Sequence, residues 1–245
     1  MAQAFMRRVA LKAAWPATLL VLLEMAGCSP GNSGASYYPL EQGRSWTYRV
    51  TKNLDESNEP DVHTLRFDMK GKETLESGPA QRRHSDEGGD YYLRSDDTGI
   101  YRVASRNTLD VAPKADNPTR YVLKAPYVVG TQWQALTVPY VLQRRNEVPK
   151  EVRYTTKPIM MVYAIMALDQ KLETPAGSFE GCIKVVGEAK IRLYVDAQFN
   201  WREMPLFSTE WYCPGKGLVK MERQETSPSK FMRGGNVTLD LISYK

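Results

Sequence analysis

Ser45-Trp46-Thr47-Tyr48-Arg49-Val50 places an aromatic or apolar side chain at every second position and a polar one between. A repeat of two sends successive side chains to opposite faces, which is the pattern of a half-buried strand and not of a helix. Thr64-Leu65-Arg66-Phe67-Asp68-Met69 and Ala189-Lys190-Ile191-Arg192-Leu193-Tyr194-Val195 repeat it. Shorter segments of the same kind run from Tyr91 to Arg94, Gly99 to Ala104, Arg120 to Lys124, Gln132 to Leu136, Val152 to Thr156, Thr209 to Tyr212, Leu218 to Gln224 and Asn236 to Tyr244. Turn residues separate them, so the expected fold is all-β, a single antiparallel meander forming an open or closed barrel-like sheet. The composition agrees: 14 Tyr, 5 Trp and 15 Pro favour strands and turns over long helices.

One apolar run breaks the alternation, Ile159-Met160-Met161-Val162-Tyr163-Ala164-Ile165-Met166-Ala167. It is too short to cross a bilayer as a helix. Three thioethers invite a copper(I) reading, but a central strand covered on both faces, with methionines filling irregular gaps, is the simpler expectation.

The first 28 residues differ from the rest. Arg7, Arg8 and Lys12 precede an apolar stretch from Ala13 to Leu23, and Met25-Ala26-Gly27-Cys28 ends it. That is the layout of a secretory signal. Residues 1–27 are therefore expected to be a signal peptide, 28–36 a flexible Ser/Gly/Asn/Pro-rich tether, and 37–245 one β-rich periplasmic domain. Cleavage before Cys28 leaves 218 of the 245 residues, with a net charge of about +3 against +5 for the whole chain. The basic clusters Arg82-Arg83-His84 and Arg144-Arg145 are short and flanked by acids, so they read as solvated faces and no nucleic-acid partner is expected.

Tight reversals are expected at Thr174-Pro175-Ala176-Gly177-Ser178 and at Pro214-Gly215-Lys216-Gly217. Proline fixes φ there and glycine permits positive φ. Phe179, Trp211 and Trp46 then become aromatic anchors of the buried face. A phosphate-cradling glycine loop would need a following helix, whereas Leu218 onward reads as strand.

No catalytic, cofactor-binding or metal-binding residue is assigned, and the expectation is a protein that is not an enzyme. His63 and His84 are the only histidines; neither lies in a His-Glu-x-x-His arrangement, and Gly-x-Ser-x-Gly is absent. His63 falls in a strand-like stretch and His84 in a polar loop. A hydrolase built on two carboxylates is the alternative.

Cys182 and Cys213 are an even pair once Cys28 is set aside, and a bridge would stabilise by roughly 3 to 4 kcal/mol. If the hairpin containing them turns near Trp201, however, Cys213 faces about residue 189, over 20 Å from Cys182 along the strand at about 3.3 Å per residue. The pairing stays open at this point.

Met25-Ala26-Gly27-Cys28 resembles the lipobox of bacterial lipoproteins, usually Leu-Ala/Ser-Gly/Ala-Cys. The resemblance implies that Cys28 carries diacylglycerol and an amide-linked acyl chain such as palmitate. Three further segments, Tyr37 to Tyr48, Thr174 to Val185 and Trp211 to Lys220, resemble a group of uncharacterised bacterial lipoproteins. Those share a Tyr-aromatic-Pro-Leu-x-x-Gly-x-x-Trp-x-Tyr opening, a Thr-Pro-Ala-Gly-x-Phe turn and a Tyr-x-Pro-Gly-x-Gly-x-Val-Lys hairpin. By that resemblance, and with Ser29 in place of the inner-membrane retention residue Asp, the protein would sit in the outer membrane facing the periplasm. Gly43-x-x-Trp46 also resembles the lipocalin Gly-x-Trp fingerprint, one residue longer. The expected function is a lipid-anchored, non-catalytic envelope protein that binds an apolar ligand or a partner protein, with no cofactor. Its partners would be the membrane through Cys28 and a lipid or another envelope protein.

Replacing Cys28 by Ala is expected to abolish lipid incorporation and acyl-dependent membrane retention, because two or more chains suffice for stable anchoring. Metabolic labelling with a radioactive fatty acid checks this; equal labelling of both forms would refute it.

Overall fold

The structure is a computed structural model and describes residues 36–145, 157–195, 198, 200–227 and 229–245. The signal segment, Cys28, the tether up to residue 35 and the candidate strand Val152 to Thr156 lie outside the described residues.

Fourteen strands are found among the described residues: β1 (Ser45–Leu54), β2 (Asp61–Leu75), β3 (Gly78–Ser85), β4 (Asp90–Asp96), β5 (Gly99–Arg106), β6 (Lys114–Lys124), β7 (Gln132–Thr137), β8 (Gln143–Arg144), β9 (Ile159–Thr174), β10 (Gly177–Tyr194), β11 (Trp201–Cys213), β12 (Gly217–Glu225), β13 (Met232–Arg233) and β14 (Gly235–Tyr244). Twelve of them form one antiparallel sheet in the order β6-β5-β4-β3-β2-β1-β14-β12-β11-β10-β9-β7, and β8 pairs with β13 in a small ribbon. The sheet is an all-antiparallel, near-closed barrel with one unsealed seam. Its first and last strands are zipped together, Val50 opposite Leu239 and Leu54 opposite Gly235. The two edges, β6 and β7, are neighbours in sequence. No backbone ladder joins them, but Arg120 Nε on β6 donates to the Leu136 carbonyl on β7 at 3.0 Å.

The alternation read from sequence produces the barrel wall. Tyr48 and Val50 point in, and Leu65 and His63 stand opposite them on β2. Part of the interior is packed solid by Met161, Ile165, Ile183, Val185, Met204 and Leu206 from β9, β10 and β11. Trp133 of β7 stacks on Tyr163 of β9 with ring centroids 5.7 Å apart.

Several expectations need correction. The apolar run in β9 is covered on one face only: Met161, Tyr163 and Ile165 are buried while Met160, Val162 and Met166 are 40, 42 and 55% exposed. The strand keeps a period of two beneath its unbroken hydrophobicity. Its thioethers therefore leave opposite faces and do not converge. Arg82, Arg83 and His84 belong to β3 and not to a loop; the polar composition of that segment hides a strand whose inward side chain is an arginine.

The register of β10 and β11 also differs from the sequence reading. The connection is centred between Tyr194 and Trp201, which pair with one another, so Ile183 faces Tyr212 and Cys182 lies beside Cys213. The two are joined in a disulfide with Cα atoms 4.1 Å apart. Trp201, expected at the turn, instead opens β11 on the outer face, edge-on to Tyr194 at 5.8 Å.

Around the disulfide, a second cluster gathers Trp46, Phe179, Val219 and Leu241, with Trp211 half-buried against it. Trp46 Nε1 donates to the Lys216 carbonyl at 2.6 Å, tying β1 to the hairpin before β12. Pro175 and Ala176 form the β9–β10 reversal, with Gly177 paired to Thr174. Pro214, Gly215 and Lys216 form the β11–β12 reversal, with Gly217 opposite Cys213.

Gly177 has φ of +124° and Gly217 of +83°. Gly177→Val and Gly217→Val should each lower the denaturant midpoint by the equivalent of roughly 1 to 3 kcal/mol, since β-branched residues are strained at positive φ. Unchanged midpoints would show that the turns relax without cost.

A candidate ligand cavity in the barrel lumen

Where β9–β11 fill the interior, the side of β1 to β6 does not. A cavity of about 680 Å³ remains, within the roughly 300 to 1,000 Å³ of small-molecule pockets. One wall is apolar: Val50 from β1, Leu65 from β2, Leu218 and Met221 from β12, Val237 and Leu239 from β14. The other carries Arg83 from β3, Tyr91 and Leu93 from β4, Arg102 from β5, and Arg120 and Val122 from β6. Tyr38, Tyr48, Phe67, Tyr140 and Tyr212 supply aromatic surface between the two.

The segment after β7 forms part of the lining. Val138, Pro139 and Tyr140 line the cavity as a strap beside Thr137 at the end of β7, and a single carboxylate holds the strap at Tyr140 to Leu142. Glu225 accepts from the backbone N–H of Tyr140 at 2.7 Å, and of Val141 and Leu142 at 2.8 Å each. Arg223 Nε donates to the same carboxylate at 3.1 Å, and Arg223 Nη2 donates to the Val138 carbonyl at 3.3 Å. Both side chains are withdrawn from water, at 2% exposure for Arg223 and 0% for Glu225.

The lumen's polar groups differ in how they are satisfied. Glu210 accepts from Ser208 Oγ at 3.0 Å and from the Tyr212 hydroxyl. Arg102 forms a two-point pair with Asp116 at 2.6 and 2.8 Å. The Tyr48 hydroxyl donates to the Leu218 carbonyl at 2.8 Å. Burial pushes the phenols of Tyr48 and Tyr212 well above the ordinary tyrosine range, so both stay protonated donors at neutral pH. Arg83 has no carboxylate within 4 Å among the described residues.

His63 lines the cavity from β2, with Nε2 3.8 Å from Glu87 and Nδ1 3.7 Å from Asp61. His84 lies apart from it, its Nδ1 2.8 Å from the buried carboxylate of Asp90. Cys182 and Cys213 are consumed in the disulfide and hold no thiol nucleophile. Pro175, Gly177, Pro214, Gly215 and Gly217 serve the hairpins and do not line the cavity. Sequence reasoning misses the lumen residues Arg83, Arg120, Glu210 and the Arg223–Glu225 pair. The available signal is a charged residue at an inward position of an alternating strand, visible for Arg223 and Glu225 within Leu218 to Glu225.

No helix among the described residues is long and apolar enough to cross a membrane. No group of metal-ligating side chains is found among them. No family model matches the chain, and no curated protein matches it. Two solved structures are similar to it. One is a candidate lipoprotein from Parabacteroides distasonis, 16% identical with a TM-score of 0.46, over 86% of this chain and 99% of that one. The other is a candidate exported protein with a YmcC-like fold from Bacteroides fragilis, 14% identical with a TM-score of 0.41, over the same shares of the two chains.

Glu225→Gln should destabilise the protein by about 3 to 5 kcal/mol, because it leaves Arg223 as a buried charge without its counter-ion and confronts three N–H donors with an amide. Denaturant unfolding measures this. A loss under about 1 kcal/mol would show that water or rearrangement replaces the carboxylate.

Proposed function

We propose that this is a non-catalytic, lipid-anchored envelope protein whose barrel lumen holds one small ligand with an apolar body. The observation that carries the reading is the unfilled cavity of about 680 Å³ inside an otherwise packed barrel, walled mainly by aliphatic and aromatic side chains. Open apolar surface of that size is destabilising unless something covers it, and a concave apolar site with a few placed polar groups is the usual form of a small-molecule pocket. A strap held at three backbone N–H groups keeps the cavity's rim in one conformation, which lowers the entropy lost on binding. The lipobox-like Met25 to Cys28 segment supports anchoring at Cys28, and Ser29 supports the outer membrane, facing the periplasm.

Leu239 lines the cavity from β14 opposite Val50. Leu239→Trp should fill part of the space and weaken binding of the neutral fluorophore N-phenyl-1-naphthylamine about tenfold or more. That is the equivalent of two or more methylenes displaced from contact. Fluorescence titration of both forms checks it, alongside native mass spectrometry for a co-purifying small molecule. No co-purifying molecule and no probe binding by the wild type would overturn the carrier reading and favour a protein partner.

A further inference from the structure

Charges inside this protein are as a rule matched. Arg102 meets Asp116 at the cavity wall, and the buried Arg223 meets the buried Glu225. Two guanidinium groups that line the cavity depart from the rule. Arg120 donates from Nε to the Leu136 carbonyl and lies beyond ion-pair distance of Glu210, the carboxylate on the facing strand β11. Arg83 departs further. Its Cζ stands 3.8 Å from the centre of the Phe67 ring, 5.4 Å from Tyr38 and 5.5 Å from Trp46. Nη1 donates to the Tyr38 hydroxyl, and Nε is buried with no hydrogen-bond partner at all.

Aromatic faces attract a cation but do not satisfy its N–H groups. Arg83 as a whole is half-buried, but its Nε is cut off from water and its partners are neutral, a cost that is reduced when an anion arrives. The Tyr38 hydroxyl, accepting from Arg83, still has its own proton to donate toward the same anion. Arginine's planar fork suits carboxylate and phosphate oxygens. We infer that the ligand of the lumen is an anionic amphiphile: a single-chain molecule whose acidic head rests on Arg83 and Tyr38, with Arg120 adding positive charge, and whose hydrocarbon lies against the aliphatic wall of β1, β12 and β14. This deepens the carrier reading and rests on it.

The test uses the full chain carrying Cys28→Ala, which keeps its own acyl groups out of the assay, and follows displacement of N-phenyl-1-naphthylamine. Dodecanoate, dodecyl phosphate, dodecanol and inorganic phosphate are compared below their aggregation concentrations. Dodecanoate or dodecyl phosphate should bind about 10- to 100-fold tighter than dodecanol, the worth of a charge-assisted hydrogen bond. The tighter of the two names the head group as carboxylate or phosphate. Arg83→Gln should bring acid and alcohol to near-equal affinity, chiefly by weakening the acid. Arg83→Lys, which keeps the charge without the fork, should retain a reduced preference, and it decides the matter where the glutamine form does not fold.

Equal binding of acid and alcohol by the wild type would overturn the anionic head while leaving an apolar carrier standing. So would an undiminished preference in both Arg83 variants. Inorganic phosphate competing as well as dodecyl phosphate would overturn the amphiphile. A probe that never binds would instead overturn the carrier itself.

Discussion

The Glu225 carboxylate takes hydrogen bonds from three consecutive backbone N–H groups and from Arg223. The arrangement of the lumen follows from it. A turn of chain that enters a barrel brings N–H donors away from water, and those donors must be satisfied. Backbone pairing cannot do so for Tyr140 to Leu142, because they lie between β7 and the short β8. One carboxylate with two oxygens and four lone-pair directions can. Arg223 then supplies the counter-charge, grips the Val138 carbonyl, and lies over the Tyr140 ring at 4.7 Å. An apolar pair of similar volume could fill the space, but it would leave the three donors bare.

That constraint also explains how an unsealed barrel keeps a defined interior. Exposed strand edges invite pairing with other chains unless something blunts them. Here β6 and β7 face each other across the seam, and Pro118 and two irregularities in the pairing of β5 with β6 interrupt the β6 edge. β7 is only six residues long, and the strap leaving it is pinned to Arg223 and Glu225 of β12. Arg120 crosses the seam as a side-chain bond where a ladder would otherwise run. The seam and the strap lie at the same place in the chain, so the opening of the sheet and the rim of the cavity are one feature.

Strands whose residues alternate visibly are legible in the sequence, among them β1, β2, β10, β12 and β14. Both proline–glycine hairpins are equally legible. Less legible are features that depend on which side of a strand faces in. The continuous hydrophobicity of β9 suggests two covered faces because apolar side chains alone do not say whether the outer one is packed; Met160, Val162 and Met166 show that it is not. The β10–β11 register escapes the sequence for a related reason. An aromatic residue at the start of β11, Trp201, stands where a turn is expected, and a shift in the centre of the hairpin moves every later partner. Cys182 and Cys213 thus come together through a register that composition does not encode. The cavity is legible only as a consequence of having few helices to cover a curved sheet, and of the lumen's arginines only Arg223 leaves a signal, as a charged residue at an inward position of an alternating strand.

Arg82 and Arg83 show why parity outweighs composition. The two residues are adjacent, in a segment whose overall polarity suggests a solvated face. Arg82 meets Glu73 at 3.3 Å on one side of β3, where water screens the pair and its contribution to stability is small. Arg83, one residue on, turns to the other side and meets Phe67, Tyr38 and Trp46. The same guanidinium then acts in a medium of lower effective dielectric, where an opposite charge is attracted more strongly than at the surface. A pocket that was apolar throughout would select ligands by size alone, and added methylenes discriminate weakly. On the proposed reading, one incompletely paired cation on its wall would make the sign of a ligand's charge matter more than its length.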